Sequence, residues 1–151
     1  MQRNVLLLSI RPEYALKIFN GTKKIELRRV RPRLEKGDLV IVYVSSPRKA
    51  LLGSFEVERV IEKLVINLWH DVEEEAGINL KEFFNYYQGK TVGFGICLKN
   101  IQTFHPPIEL ERLRREWSEF RPPQGYRYLT PGEFERVQAL VKEQVAVMPE
   151  S

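Results

Sequence analysis

Four residues near the start of the chain have the types and spacing for binding or catalysis. Gly21, Lys23, Glu26 and Arg28 follow one another as Gly-x-Lys-x-x-Glu-x-Arg. Lysine offers a compact positive charge, and arginine can hold a phosphate through two parallel hydrogen bonds. The glutamate between them can accept a proton or a hydrogen bond. Because charged groups are costly to bury and concentrate at functional sites, the segment predicts a site for a polar, anionic ligand.

The motif lies between a predicted helix, which begins at Pro12 and stops at Gly21, and a predicted strand. Successive side chains of a strand point to opposite faces, so Glu26 and Arg28 share one face about 6.6 Å apart. The same alternation puts Lys23 on the other face, so Lys23 reaches the site only if the preceding turn breaks the alternation. The alternative is a structural Glu–Arg pair that holds the strand in its sheet.

Other candidate residues lie outside the motif. The amino end of the predicted helix presents free N–H groups to an anion, and Ser9 and Arg11 add a hydroxyl and a charge there. Near the carboxyl end of the chain, arginines alternate with aromatic residues, which suits single-stranded RNA. Most of those aromatics are expected in the core and most of those arginines on a solvated surface. Tyr126 and Arg127, beside a Gly-Pro-rich loop, are the exceptions. Arg48, in a proline-containing loop, completes the predicted nucleic-acid contacts.

Composition and charge describe an ordinary globular protein with a basic amino-terminal third. The 151 residues are 43% apolar and 29% charged, which predicts one domain over residues 1–145 and a frayed tail over 146–151. Residues 1–50 hold 12 Lys and Arg against 4 Asp and Glu, and the remainder holds 12 against 16. Such a basic concentration favours polyanions such as nucleic acid, although a solvated surface is the alternative.

Several classes of protein are not supported by the sequence. It has no apolar run of 18 residues, so no membrane span is expected. The first ten residues lack the pattern of a signal peptide, which predicts a cytoplasmic protein. One cysteine, Cys97, and two histidines do not provide a structural zinc site, and neither a metal nor another cofactor is expected.

Apolar patterns predict a strand-rich α+β fold. Pro106 and Pro107 are expected to end one strand, and Gly93 and Gly95 leave a bare strand face that predicts close packing. We therefore expect a small mixed sheet or barrel of about six strands, decorated by several short helices. Strands are predicted over residues 5–10, 24–28, 39–44, 51–58, 91–101 and 126–129, and helices over 12–20, 66–77, 80–88, 108–117 and from 131 onward.

The chain resembles the ASCH domain family over residues 5–130. The resemblance implies a PUA-like β-barrel, related to an RNA-binding domain, and a cleft between barrel and helices with the motif residues on its wall. The matching segments are the motif Gly21, Lys23, Glu26 and Arg28, the run 8–12, the loop 47–53 and the segment 123–129.

The family also implies two activities. Members resemble RNA-binding domains, and a few are hydrolases that act on modified nucleobases or on RNA itself. Those hydrolases use the motif lysine, which matches Lys23, a threonine where this chain has Glu26, and a carboxylate from another strand. Glu56 and Glu58 are available for that last role, and Glu26 departs from the hydrolase pattern.

Together these observations predict an RNA-binding module that recognises a backbone phosphate and an unpaired or modified base in a basic cleft. One alternative is a small amidase-type hydrolase of a modified nucleoside, or a ribonuclease, with Lys23 and Glu26 as the catalytic residues. Another is a regulatory module whose basic face binds an acidic protein. RNA is the expected partner, with a modified nucleoside as the second choice.

Overall fold

The computed structural model describes residues 3–147, with side chains as far as residue 143, and these residues form six strands and five helices. This content confirms the predicted α+β class with about six strands and several short helices. The strands are β1 (Val5–Ile10), β2 (Ile25–Arg28), β3 (Leu39–Val44), β4 (Ala50–Leu64), β5 (Val92–Glu109) and β6 (Tyr126–Tyr128). The helices are α1 (Pro12–Phe19), α2 (Val65–Val72), α3 (Leu80–Tyr86), α4 (Leu110–Glu116) and α5 (Pro131–Val147).

The strands form one curled sheet in the order β2-β5-β4-β3-β1-β6. The β1–β3 pairing is parallel and the other pairings are antiparallel. Among the described residues β2 and β6 do not pair with each other, so the sheet is a half-barrel. Its two edges face one another nonetheless, because the guanidinium carbon of Arg28 in β2 lies 5.9 Å from the ring centre of Tyr126 in β6. The candidate site lies in this opening.

Both faces of the central strands are buried. In β1, Leu6 and Leu8 pack with Ala15 and Ile18 of α1 on one face, while Leu7 packs toward α4 and α5 on the other. Strands buried on both faces need apolar side chains at nearly every position. This requirement explains the nearly continuous apolar run of β1, in which only Ser9 is polar, and the wholly apolar β3.

A third apolar cluster forms where α2 and α3 pack against β2 and β5. A Cβ atom at Gly93 would lie 2.7 Å from the ring of Tyr87 and 2.8 Å from Leu68. A Cβ atom at Gly95 would lie 3.1 Å from Ile25. The close packing predicted over the glycine face of β5 is therefore confirmed, and it anchors the helix pair beside the site.

The prediction that Pro106 and Pro107 end a strand is wrong, because β5 continues to Glu109. The pairing with β4 passes from Gly53–Thr103 to Leu51–Ile108, and the two prolines lie within this irregularity. A bulge accommodates proline because the hydrogen-bond ladder is interrupted there. Helix α4 consequently begins at Leu110, two residues later than predicted.

Other boundaries also differ from the predictions. Strand β4 continues to Leu64 rather than residue 58, and α2 ends at Val72. Helix α5 begins at Pro131 as predicted, and a capping box precedes it: Glu133 donates its N–H to Thr130 Oγ1 (3.2 Å), and Thr130 donates its N–H to Glu133 Oε1 (2.9 Å). Helix α5 continues to Val147, and the rest of the predicted tail, residues 148–151, lies outside the described residues. Within the described part of the chain, no helix has the length and apolarity to cross a membrane.

Candidate functional site

A cavity of about 550 Å³ opens between α1, β2, α3 and the loop that precedes β6. It contains all three charged residues of the motif. Its lining also includes both residues predicted at the amino end of α1. The lining side chains are Ser9, Ile10, Arg11, Tyr14, Lys23, Glu26, Leu27, Arg28, Ser45, Ile78, Glu82, Tyr86, Pro123 and Gln124.

Lys23 reaches this cavity because it precedes the strand. Its N–H donates to the carbonyl of Lys17 (2.9 Å), so the chain is still turning after α1, and β2 begins only at Ile25. The strand alternation therefore does not apply to Lys23. Its side chain is 3% exposed, and its ammonium donates to the carbonyl of Ala76 in the loop after α2 (2.6 Å).

The three motif charges form one cluster. Glu26 Oε1 lies 3.7 Å from Lys23 Nζ, and Glu26 Oε2 lies 3.5 Å from Arg28 Nη1. Two cations therefore share one carboxylate, and the cluster carries a net positive charge. Burial lowers the pKa of Lys23, and the attraction of Glu26 opposes that change only in part. The arrangement favours an anionic ligand that would supply the missing negative charge.

Ser9 lines the cavity, whereas Tyr126 lies outside its lining. Ser9 donates its hydroxyl to the carbonyl of Pro123 (2.7 Å) and its N–H to the carbonyl of Gly125 (2.9 Å). These bonds fix the loop before β6 against the end of β1. Tyr126 faces Arg28 from the opposite edge of the sheet, while the exposed Arg11 lines the mouth of the cavity.

The structure does not bring Arg48 or Arg127 into the cavity. Arg48 pairs with Glu109 (2.7 Å) beside a separate cavity at the start of β4. Arg127 pairs with Glu133 (3.2 Å), and its guanidinium carbon lies 5.5 Å from the ring centre of Trp117. Their contact with nucleic acid stays a prediction.

Neither candidate for a second carboxylate from β4 lies in the cavity. Glu56 pairs with Arg3 (3.7 Å) and lines a different cavity under α5. Glu58 is exposed on β4 and is absent from the cavity lining. The second carboxylate of the cavity is Glu82, which comes from α3.

Nine of the lining residues had not been predicted as site residues, among them Tyr14, Glu82 and Tyr86. Glu82 belongs to a capping box with Asn79, and that Asn-x-x-Glu pattern was a usable signal for the start of α3. Tyr86 donates its hydroxyl to the carbonyl of Leu27 (3.1 Å), and burial raises its pKa. The ring centre of Tyr14, on α1, lies 5.6 Å from Lys23 Nζ. No sequence pattern indicated that Tyr14 would line the cavity. Among the described residues, no group of three or more His, Cys, Asp or Glu is placed to hold a metal ion.

The described strands form a half-barrel with a charged cleft at its open edge. The sequence over residues 8–144 matches the ASCH domain family. Since the match covers most of the chain, the protein belongs to this family, as its resemblance indicated.

The chain is similar to several characterised or solved proteins. The ASCH domain-containing ribonuclease of Zymomonas mobilis is 26% identical over 141 residues, which are 93% of this chain and 95% of that protein. The crystal structure of ASCH from Zymomonas mobilis has a TM-score of 0.85 at 27% identity, covering 92% of this chain and 96% of that chain.

Two further proteins are similar over part of their length or in fold alone. The large ribosomal subunit protein uL22 of Ureaplasma parvum is 27% identical over 124 residues, which are 82% of this chain but 39% of that protein. The human THYN1 protein, solved in complex with DNA that contains 5-methylcytosine, has a TM-score of 0.60 at 12% identity. That alignment covers 92% of this chain and 98% of the THYN1 chain, and it shows a shared fold.

Proposed function

We propose that the protein binds single-stranded RNA, with a backbone phosphate on Lys23 and Arg28 and an unpaired or modified base in the cavity. The observation that carries this proposal is the charge cluster, in which two cations share Glu26 inside a cavity of about 550 Å³. A phosphate would balance the excess positive charge. Arg28 offers two parallel donors for it, and Lys23 offers a single buried charge.

The rest of the cavity suits an unpaired base. Tyr14 and Tyr86 provide aromatic surface, and Glu26 can accept hydrogen bonds from a base amino group. Ser9 and Arg11 at the mouth would contact the sugar-phosphate chain. Arg48 and Arg127 lie outside the cavity, so they would contact RNA only where the strand extends beyond it.

The relatives support a role with nucleic acid. The Zymomonas mobilis protein, which this chain matches over nearly its whole length, is named a ribonuclease. Human THYN1, which shares the fold, was solved with DNA. The basic amino-terminal third, with 12 Lys and Arg against 4 Asp and Glu, agrees with a polyanionic ligand.

Fluorescence anisotropy with single-stranded RNA, structured RNA and matched DNA tests the proposal. The proteins are the wild type, Lys23→Ala and a control, Lys63→Ala, whose exposed ammonium pairs with Asp71. We expect salt-dependent binding that prefers single-stranded RNA and weakens about tenfold or more only in Lys23→Ala. Equal binding of all polyanions by all three proteins would overturn the proposal. Release of base or acid from a modified nucleoside, without RNA binding, would replace it with the hydrolase alternative.

Cleavage of the bound RNA is a second candidate function, favoured by the name of the Zymomonas mobilis relative. In the proposed step Glu26 takes the proton of a ribose 2′-hydroxyl, and the 2′ oxygen forms a bond to phosphorus. The bond from phosphorus to the 5′ oxygen breaks, and the Lys23 ammonium protonates that oxygen. The lowered pKa of Lys23 makes its ammonium a better acid. Arg28 would stabilise the charge on the phosphate oxygens.

The chemistry of the products distinguishes cleavage from binding alone. We expect one fragment with a 2′,3′-cyclic phosphate and one with a 5′-hydroxyl. A strand with one 2′-deoxyribose at the cleaved position should resist cleavage there, and Glu26→Gln should remove cleavage. Intact RNA after long incubation with the wild type would leave the protein a binding module. Fragments from Glu26→Gln at the wild-type rate would contradict the proposed role of Glu26.

A further inference from the structure

A second cavity adjoins the cleft at the open edge of the sheet. Its volume is about 410 Å³, and its lining consists of Arg28, Arg29, Val30, Tyr86, Gly125 and Tyr126. Arg28 and Tyr86 also line the first cavity. The two cavities therefore meet at these two side chains. Each volume lies within the range of about 300–1,000 Å³ that is typical of small-molecule sites.

Arg28 lies at the boundary between the two cavities. On the cleft side its Nη1 atom is 3.5 Å from Glu26, and on the other side its guanidinium carbon is 5.9 Å from the ring centre of Tyr126. A guanidinium carries five N–H donors, which is more than one carboxylate uses. Arg28 can therefore hold a phosphate in addition to Glu26. Because Arg28 lines both cavities, the two nucleosides joined by that phosphate would lie one in each cavity.

The walls of the second cavity differ from those of the first. It has no carboxylate among its lining residues, and Arg29 adds a second cation. Tyr126 and Tyr86 supply aromatic surface, and Val30, 63% exposed, adds an apolar rim. The hydrogen bond from Tyr86 to the carbonyl of Leu27 fixes the position of its hydroxyl. Aromatic rings beside a positive groove are the surface on which successive bases of a single strand stack.

Resting on the proposed RNA binding, we propose that the second cavity holds the base of the neighbouring nucleotide, while Arg28 holds the phosphate that joins the two nucleotides. The smallest ligand that fills the whole site is then a single-stranded dinucleotide. A free nucleoside or mononucleotide fills only the first cavity.

Calorimetric titration with three adenine ligands tests this inference. Adenosine 3′,5′-bisphosphate carries two phosphates and one base, whereas pApA and ApAp carry two phosphates and two bases. Because all three ligands carry two phosphates, a higher affinity of a dinucleotide than of the bisphosphate reports the second base. The pair pApA and ApAp covers both directions in which the strand could lie. We expect the better of the two dinucleotides to bind the wild type about 10- to 100-fold more tightly than the bisphosphate.

Three variants locate that gain. The ratio of dinucleotide to bisphosphate affinity should fall below about threefold in Tyr126→Ala, because the stacking ring is lost, and persist in Tyr126→Phe. Val30→Asp, on the exposed rim, places a negative charge at the cavity mouth and should also reduce the ratio. This surface variant tests the inference even if Tyr126→Ala does not fold.

The outcomes separate this inference from the proposed function. In one outcome the wild type binds the bisphosphate and both dinucleotides with equal affinity, and Lys23→Ala loses that binding. This result would overturn the proposed role of the second cavity and leave the proposal of RNA binding in the cleft intact. A ratio unchanged by Tyr126→Ala and Val30→Asp would also overturn it. Failure of the wild type to bind any of these ligands or longer RNA would overturn both proposals.

Discussion

The Lys23–Glu26–Arg28 cluster and the Arg48–Glu109 pair differ in the separation of their charges, in burial and in net charge. Arg48 and Glu109 are 2.7 Å apart, with side chains 38% and 52% exposed, and each has one opposite charge. In the cluster the separations are 3.7 and 3.5 Å, but Lys23 and Glu26 side chains are only 3% and 10% exposed. The closer pair is the weaker sign of function, because exposed pairs are common and contribute little. Buried charge in excess is what requires an explanation.

Removal of the shared carboxylate should give the largest difference between the two regions. Glu26→Ala leaves the buried Lys23 and the partly buried Arg28 without their carboxylate, and we expect the free energy of unfolding to fall by about 3–5 kcal/mol. Glu109→Ala removes an exposed partner and should lower it by less than about 1 kcal/mol. Urea unfolding of both variants measures the difference. Similar losses would show that solvent screens the cluster as it screens the surface pair.

Arginine removal compares the regions through RNA affinity. Arg28→Ala removes a charge-assisted contact worth about 1.5–3 kcal/mol, so binding should weaken about tenfold or more. The slope of log affinity against log salt should also shrink by about 0.7 for the lost phosphate contact. Arg48→Ala should change affinity by less than about twofold. Comparable losses in the two variants would extend the binding surface to the loop before β4.

Two glycines provide a matched test of how Lys23 is positioned. Gly77 and Gly89 both have a positive φ, +71° and +83°, so alanine should destabilise either turn by about 1 kcal/mol. A Cβ atom at Gly77 would also lie 3.1 Å from the Cβ of Lys23, whereas at Gly89 it would meet nothing within 4 Å. We expect weaker RNA binding only in Gly77→Ala, measured beside thermal unfolding. Unchanged affinity in Gly77→Ala would mean that Lys23 adjusts without loss.

The smallest expected effect is a pH dependence. Burial lowers the pKa of Lys23 below the value of about 10.4 that is usual for lysine. As the pH rises, this ammonium therefore loses its proton at a lower pH than an ordinary lysine does. Affinity for a base-stable 2′-O-methyl oligoadenylate should fall as pH rises through that lowered pKa. Folding stability should rise over the same window, since the unfolded chain then binds more protons than the folded one.

A charge-retaining variant serves as the control for this pH dependence. Lys23→Arg keeps its positive charge in the alkaline range, so the affinity profile of a folded variant should be flat there. Anisotropy titrations of both proteins between neutral and alkaline pH give the two profiles. Identical profiles would assign the loss of binding to another group.

Local sequence patterns predicted the elements that carry the motif. The start of α5 and the glycine face of β5 each depend on neighbouring residues, and both were predicted. The end of β5 was misplaced because proline is excluded from a regular ladder but tolerated in a bulge, and a bulge depends on the partner strand. The position of Lys23 was left open because alternation describes a strand, and Lys23 precedes β2.

The composition of the cavity wall was less predictable than the motif. Tyr86 and Glu82 reach the site from α3, some 55 residues beyond the motif, through packing that no local pattern encodes. Arg48 and Arg127 were chosen for their chemistry, but each has a carboxylate partner elsewhere. Residue type and spacing therefore identified the three charged residues that line the cavity together, while long-range packing decided which other candidates line it.

The two edges of the half-barrel have a consequence for association between molecules. The edge strands are the two shortest of the sheet, with four residues in β2 and three in β6. An edge strand exposes unpaired N–H and C=O groups on which a neighbouring chain can add a strand, and short edges limit that addition. The opening between the two edges therefore gives another molecule little backbone with which to extend the sheet.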